Sequence, residues 1–249
     1  MGIEILSDIQ KLQGIFTLIF IIISLIIGIR ILLKYFKSKK FEHITLGCSW
    51  IFLTTGWLGS AVNFIFIIFN AELPEFYFLL LGNAFLPIAI ICWLYSIFHI
   101  LHRNLEKKAM TVVLSGCIPY EIGLLVLLGI DSTFIGSIES PLNSNLTLYP
   151  LIFQVIIILT TLITGIYFSL KSIKSDNQEI KWRGIFLLIA FISLGIGGIM
   201  DALFSTYTEF TLILIRLILI SSSIEYYLGF FTPKFLLNWL VKEDQPKNI

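Results

Sequence analysis

The segment IFTLIFIIISLIIGIRILL at residues 15–33, with KYFKSKK directly after it at residues 34–40, sets a pattern that the rest of the chain repeats. The first part is apolar and exceeds the roughly 18 residues that a helix needs to cross a bilayer. The second part is basic, and cytoplasmic loops of membrane proteins accumulate Lys and Arg. Together they predict a helix that leaves the membrane on its cytoplasmic side.

Six more apolar stretches follow, so we predict seven spans, at residues 15–33, 44–69, 76–101, 109–130, 149–170, 184–204 and 210–231. Fourteen of the seventeen Lys and Arg residues follow spans one, three, five and seven: Lys34, Lys37, Lys39, Lys40, Arg103, Lys107, Lys108, Lys171, Lys174, Lys181, Arg183, Lys234, Lys242 and Lys247. The gaps after spans two, four and six carry acidic residues and no Lys or Arg. This alternation predicts an amino terminus outside and a carboxyl terminus in the cytoplasm, with only Lys11 on the opposite side.

The predicted fold is an all-α membrane protein, a seven-transmembrane helix bundle formed by residues 1–231. Loops this short make consecutive spans antiparallel neighbours. In the second unit, residues 232–249, the side chains of Lys234, Asn238 and Lys242 recur every four residues and share a helical face. We expect a short amphipathic helix at the inner membrane interface, followed by a short tail.

The composition is 57% hydrophobic and 13% charged, which excludes a water-soluble globular domain. The net charge of +1, with its positive residues confined to one membrane face, argues against nucleic acid as a partner. The first apolar stretch is longer than a signal-peptide core, so we expect it to be retained. The predicted location is the cell membrane, with the lipid bilayer as the principal partner.

Six polar side chains, one from each of six spans, are predicted to lie at a similar height in the outer half of the bundle. They are Asn63, Asn83, Glu121, Gln154, Asp201 and Arg216. Their heights follow from the helical rise of about 1.5 Å per residue. Polar groups inside a bilayer are costly and therefore indicate function. We interpret this layer as an outward-opening cavity that binds a small molecule.

The same residues admit simpler interpretations. They could serve only as hydrogen-bonding contacts between helices. Arg216 could hold an anionic group, pair with Asp201 or Glu121, or extend outward to the headgroups. Glu225 lies nearer the inner side and fits either a protonated carboxyl or a partner of an inner-loop cation.

Several residues inside the spans bear on packing. Pro87 and Pro119 predict kinks in spans three and four. Small residues in span six allow another helix to approach closely, either within the bundle or in a dimer: Ser193, Gly197, Gly198 and Ala202. We expect Cys48, Cys92 and Cys117 to be buried thiols.

Residues typical of catalysis or cofactor binding are missing from the sequence. It has no phosphate-binding glycine loop and no His-Glu-x-x-His motif, and span seven has no Lys that could anchor retinal. His43, His99 and His102 lie at the inner interface without a carboxylate or thiolate at matching spacing. We therefore predict no enzyme activity, no cofactor and no metal site.

The layout resembles the amino-terminal seven-helix sensor region of certain prokaryotic histidine kinases. The features that carry the likeness are the basic stretch at residues 34–40, Trp57 in a long span two, GNAFLP at residues 82–87, KWR at residues 181–183 and GIGG at residues 195–198. The resemblance implies a module that binds an external or membrane-dissolved signal. No kinase domain follows here, so such a sensor would signal through a separate cytoplasmic protein.

The leading hypothesis is thus a receptor-like membrane sensor that binds a small molecule in the outer half of the bundle. The alternative is a small-solute transporter or channel. The carboxyl groups of Glu121 and Glu225, deep in the membrane, support this hypothesis. A structural subunit of a larger membrane complex would have a similar sequence.

Overall fold

The computed structural model describes the backbone of residues 2–203 and 208–243, and the side chains of residues 2–201 and 208–240. Its helices are α1 Asp8–Leu33, α2 Tyr35–Ser38, α3 Glu42–Leu53, α4 Leu58–Ile68, α5 Glu75–Asn83, α6 Leu86–Leu101, α7 Glu106–Ile130, α8 Leu148–Ile173, α9 Gln178–Leu203, α10 Glu209–Phe231 and α11 Lys234–Glu243. Short 3-10 turns occur at Ile3–Ile5, Thr54–Trp57 and Ser132–Phe134. Two strands, β1 Gly136–Ser140 and β2 Asn143–Leu146, complete the described elements.

Seven segments of the described chain are long and apolar enough to cross a membrane, which confirms the predicted number of spans. They are Asp8–Ser38, Glu42–Ile68, Glu75–Leu101, Glu106–Ile130, Leu148–Ile173, Gln178–Asp201 and Glu209–Phe231. The architecture is an all-α bundle, as expected for a multi-pass membrane protein. Residue 204, where the sequence places the end of span six, and residues 244–249 lie outside the described part of the chain.

Two of the seven spans are interrupted near their middle. The second span changes from α3 to α4 through the 3-10 turn Thr54–Trp57, in which the hydroxyl of Thr54 donates to the carbonyl oxygen of Ile51 at 2.9 Å. The third span breaks between α5 and α6, and Pro87 occupies the first turn of α6, where its missing N–H costs nothing. The sequence predicts a kink at each of these prolines; the third span is interrupted just before Pro87, and α7 is assigned as one helix that includes Pro119.

Close backbone contact joins the first two spans. A Cβ added at Gly47 would lie 2.6 Å from the carbonyl oxygen of Gly28, so only glycine fits there. Towards the other end of α1, Gly14 lies against the ring of Phe64 in α4. Since the start of α1 meets the end of span two and its end meets the beginning, these spans are antiparallel.

The segment between α7 and α8, residues 131–147, contains the antiparallel hairpin β1–β2. Gly136 pairs with Leu146 and Ile138 pairs with Ser144. The hairpin joins α7 to α8 and folds onto one end of the bundle, which we name the hairpin end. The opposite end carries the basic loops, such as residues 34–40, and is named the basic end.

The helix α11 packs on the bundle by one face. Leu237 and Leu240 are buried, while Phe235 and Trp239 are exposed. The sequence predicted this helix, but the side chain of Lys242 lies outside the described set. The placement of α11 at the membrane interface stays a prediction.

Candidate functional site: a cavity beneath the hairpin

A cavity of about 510 Å³ lies between the hairpin and the middle of the bundle. Its walls come from both interrupted spans, from α8, α9 and α10, and from the hairpin. Much of the wall is aliphatic or aromatic and includes Leu86, Ile157, Leu162, Phe191 and Leu194. The volume lies in the range of pockets that enclose small organic ligands.

The breaks in spans two and three explain why this space exists. Leu53, Gly56 and Trp57 line the cavity at the 3-10 turn, and Leu86 lines it at the start of α6. A Cβ added at Gly56 would find no atom within 4 Å, and one at Gly198 would meet only the far edge of Trp57 at 3.9 Å. The glycines thus leave room that longer side chains would fill.

A buried ion pair forms one wall of the cavity. The Nη2 of Arg216 lies 3.0 Å from Oδ1 of Asp201, and Nη1 lies 3.2 Å from Oδ2. The indole N–H of Trp57 donates to Oδ2 of the same carboxylate at 2.5 Å. The Arg216 side chain is 2% exposed and that of Asp201 is 14% exposed. Fixing both charged groups in this way offsets their desolvation, as buried ion pairs require.

The predicted pairing of Arg216 with Asp201 is therefore present. The alternatives in which Arg216 pairs with Glu121 or extends to headgroups do not match its contacts, since the guanidinium is buried beside Asp201. Its Nε has no hydrogen-bond partner among the described residues.

Of the six predicted ligand-binding residues, Gln154, Asp201 and Arg216 line the cavity. Asn83 supports the first of these from behind, because its Oδ1 accepts the side-chain N–H of Gln154 at 3.0 Å. The side-chain N–H of Asn83 donates to the carbonyl oxygen of Leu79 at 2.8 Å. Asn83 is thus a positioning residue at the break between α5 and α6.

Asn63 fastens the hairpin instead of lining the cavity. Its Nδ2 donates to the carbonyl oxygen of Pro141 at 2.6 Å, and its Oδ1 accepts from the backbone N–H of Leu73 at 2.9 Å. Glu121 on α7 is not among the residues that line the cavity. One of its carboxyl oxygens is buried without a hydrogen-bond partner in the described residues, and the same holds for Glu225.

Three side chains from the bundle hold the tip of the hairpin. Besides the bond from Asn63, the hydroxyl of Ser60 donates to the carbonyl oxygen of Leu142 at 2.6 Å. The Nε2 of Gln13 donates to Oδ1 of Asn143 at 2.6 Å. Leu142 itself is buried. We name these three hydrogen bonds the hairpin latch; they make the hairpin the roof of the cavity.

The hairpin also contributes polar side chains that sequence reasoning missed. Its cavity-lining residues are Glu139, Leu142, Asn143, Ser144, Asn145 and Leu146. The strand register shifts between Ile138 and Ser140, so Glu139 is the extra residue of a β-bulge. A bulge re-aims a side chain. The only sequence signal is a weak polar and apolar alternation in residues 135–146.

An aromatic layer closes the cavity towards the basic end. Trp50 and Tyr226 stack with ring centroids 3.9 Å apart, and Trp93 packs against Phe191 at 4.9 Å. Thr161 lines the cavity just above this layer and has a buried hydroxyl without a partner in the described residues. The layer separates the cavity from the basic loops.

One of the three histidines predicted at the basic end, His99, contacts carboxyl groups of two other helices. Nδ1 of His99 lies 2.8 Å from Oε2 of Glu106, and its Nε2 lies 3.5 Å from Oε1 of Glu42. His99 thereby joins α3, α6 and the start of α7. Among the described residues no group of three or more His, Cys, Asp or Glu could hold a metal ion.

Small residues of α9 serve packing within the bundle. A Cβ at Gly197 would lie 2.7 Å from the side chain of Leu219 in α10, and one at Gly195 would lie 3.0 Å from Leu162 in α8. Gly198 faces the cavity. The side chain of Ala202, the fourth predicted small residue, lies outside the described set.

No protein-family model, no curated protein and no solved structure matches the chain. A function is therefore inferred from the geometry of the cavity.

Proposed function

We propose that the chain is a receptor-like sensor of the cell membrane that binds a small molecule in the cavity beneath the hairpin. In this proposal the hairpin end faces outward and the basic end faces the cytoplasm, because Lys and Arg accumulate in cytoplasmic loops. Binding would favour one of two helix arrangements, which requires a different affinity for each.

One observation carries the proposal: the cavity combines a fixed ion pair, an apolar wall and a closed floor. The pair Arg216–Asp201 lies in its wall, and Phe191 in its lining packs against Tyr226 of the aromatic layer, with ring centroids 6.0 Å apart. An enclosed apolar space with a few fixed polar groups is the usual design of a small-molecule site. The closed floor favours binding and signalling over passage through the bundle.

The partner in the cytoplasm would be a separate protein that docks on the basic end. The exposed residues of that end include the cations Lys39, Lys40 and Arg103. Asn238 and Trp239 of α11 are exposed as well. A cationic surface of this kind attracts an acidic protein face or anionic lipid. α11 contacts α9, whose wall residues reach the cavity, so a shift of α9 would reach this surface.

To test the proposal, a substitution fills the cavity, and the loss of small-molecule binding is measured. Gly198→Leu places a side chain in the open space beside Trp57. Gly116→Leu on α7 is the matched control, because a Cβ there meets no atom within 4 Å and Gly116 is exposed and does not line the cavity. Thermal shifts of the full chain in nanodiscs are measured with octanol, octylamine and octanoate.

We expect at least one of these amphiphiles to stabilise the wild type and the Gly116→Leu control, but not Gly198→Leu. Equal shifts in all three proteins would mean that the probes act through the lipid, and the ligand site would be rejected.

A transporter is the second candidate, and the interrupted spans favour it. Discontinuous helices next to a buried ion pair are also how secondary transporters build substrate sites. Flux into liposomes separates the two functions: uptake of a solute that depends on the carboxyl of Glu121 and is lost in Glu121→Gln would favour transport over sensing.

A further inference from the structure

Among the residues whose side chains the structure describes, three ionisable ones line the cavity: Glu139, Asp201 and Arg216. The charges of Asp201 and Arg216 cancel, because the two groups make two contacts of 3.0 and 3.2 Å. The carboxylate of Glu139 has no cation within ion-pair distance among the described residues. The site therefore keeps one negative charge, at its roof.

The position of Glu139 follows from the hairpin and not from a chance surface charge. The β-bulge between Ile138 and Ser140 places this one residue out of register, and the hairpin latch holds the tip beside it. Its side chain is exposed in the absence of a ligand, so it is hydrated and available. A carboxylate at the entrance of an apolar space attracts cations and repels anions.

An anionic ligand has a poor alternative partner in this cavity. Both terminal nitrogens of Arg216 already contact Asp201, and only its Nε lacks a partner in the described chain. Taking the guanidinium away from Asp201 would leave a buried carboxylate without its cation, which is strongly unfavourable. An anion would also face Glu139.

We propose that the cavity selects an amphipathic organic cation, with an amine head at Glu139 and an apolar body directed towards the floor. This inference rests on the proposed ligand site and names its chemical class. The body would contact Leu162, Phe191 and Leu194, and the floor at Thr161 would limit its length. The side-chain carbonyl oxygens of Asn143 and Asn145 on the hairpin can accept hydrogen bonds from the remaining N–H donors of the amine.

The test uses three probes of equal chain length, which are octylamine, octanol and octanoate, on the full chain in nanodiscs of uncharged zwitterionic lipid. Binding of each probe is measured by the quenching of tryptophan fluorescence, and the probes are compared by competition with one another. Glu139 should attract the positive head of octylamine and repel the negative head of octanoate. We therefore expect octylamine to bind with a Kd about tenfold lower than that of octanoate. Octanol should lie between them.

Two matched variants assign that preference to a residue. Glu139→Gln should bring the Kd values of the three probes close together, because it removes the charge and keeps the size of the side chain. Glu72→Gln removes an exposed acid from the loop before α5, which does not line the cavity, and should leave the preference intact. Neither side chain is buried, so both variants should fold.

The outcomes separate this inference from the ligand site itself. Octanoate that binds as tightly as octylamine, or a preference for the amine that survives in Glu139→Gln, overturns the cation assignment. If the three probes bind the wild type with equal Kd values and do not bind Gly198→Leu, the ligand site stands and only the charge selectivity fails. If no probe distinguishes wild type from Gly198→Leu, both proposals fail.

Discussion

Arg216 of α10 and Asp201 of α9 form a two-point ion pair, with N···O distances of 3.0 and 3.2 Å, in the wall of the cavity. Their side chains are 2% and 14% exposed, so both charges lie where water offers little compensation and the pair supplies part of it. A pair of this kind holds two neighbouring helices in a defined relation. It also fixes the electrostatics of the space that they enclose.

The ion pair predicts unequal effects of single and double substitutions. Arg216→Met should destabilise the protein by about 3–5 kcal/mol, because it leaves the buried Asp201 carboxylate without a cation. Asp201→Leu combined with Arg216→Met should recover most of that loss, since apolar residues of similar volume are often neutral in place of a buried pair. Unfolding in mixed micelles measures both.

The same double variant separates a structural pair from a functional one. If the pair serves only to join α9 and α10, the refolded double variant will bind amphiphiles like the wild type. We expect it to lose binding, because the indole of Trp57 would also lose its acceptor on Asp201 and the wall would change shape.

The hairpin latch should control the rate at which ligands enter. Ser60→Ala and Asn63→Leu each remove a bond to the carbonyl oxygens at the hairpin tip. A typical net loss of about 0.5–1.5 kcal/mol per bond would open the roof more often. Stopped-flow fluorescence should show faster association and dissociation in both variants. Unchanged rates would mean that ligands enter by another route.

The aromatic layer should stabilise the bundle through ring contact and not through the phenol group. Tyr226→Phe keeps the stack on Trp50 and removes the hydroxyl, which makes a long hydrogen bond of 3.4 Å to the carbonyl oxygen of Leu46 and also interacts with the side chain of Ser49. Tyr226→Leu removes the stack, which is worth about 0.5–1.5 kcal/mol beyond buried area. Equal stability of the two variants would contradict this role.

The orientation in the membrane predicts a labelling pattern in intact cells. In a background with Cys48, Cys92 and Cys117 replaced by Ala, an impermeant maleimide should label Ser137→Cys and spare Lys39→Cys. Both positions are exposed, so accessibility of the side chain is matched. The reverse pattern would invert the protein and place the cavity on the cytoplasmic side.

The number of spans could be predicted from the sequence, and Asp201 was one of several partners that the sequence allowed for Arg216. Apolar length sets the spans. A charge buried at depth needs an opposite charge at the same height, and Asp201 satisfied that condition. Height alone does not fix the direction in which a side chain points around its helix. Glu121 was therefore grouped with the cavity residues although it does not line the cavity.

The roof of the cavity could not be derived in the same way. Glu139 and Asn143 read as residues of a polar loop, and their place depends on bonds to Gln13, Ser60 and Asn63 from distant parts of the chain. The sequence gives no signal of the break at Thr54–Trp57 either, because Thr and Gly are common in membrane helices. Long-range contacts of this kind leave no local signature.

The location of the ligand is tested most directly by photolabelling. Octylamine and octanol, each with a diazirine at the far end of the chain, are irradiated with the protein in nanodiscs, and the modified residues are mapped by mass spectrometry. The account predicts adducts on α8 and α9 near Leu162 and Phe191, lost in Gly198→Leu and kept in Gly116→Leu. Adducts confined to exposed residues such as Val112 and Ile118 of α7, in equal amounts in all three proteins, would contradict it.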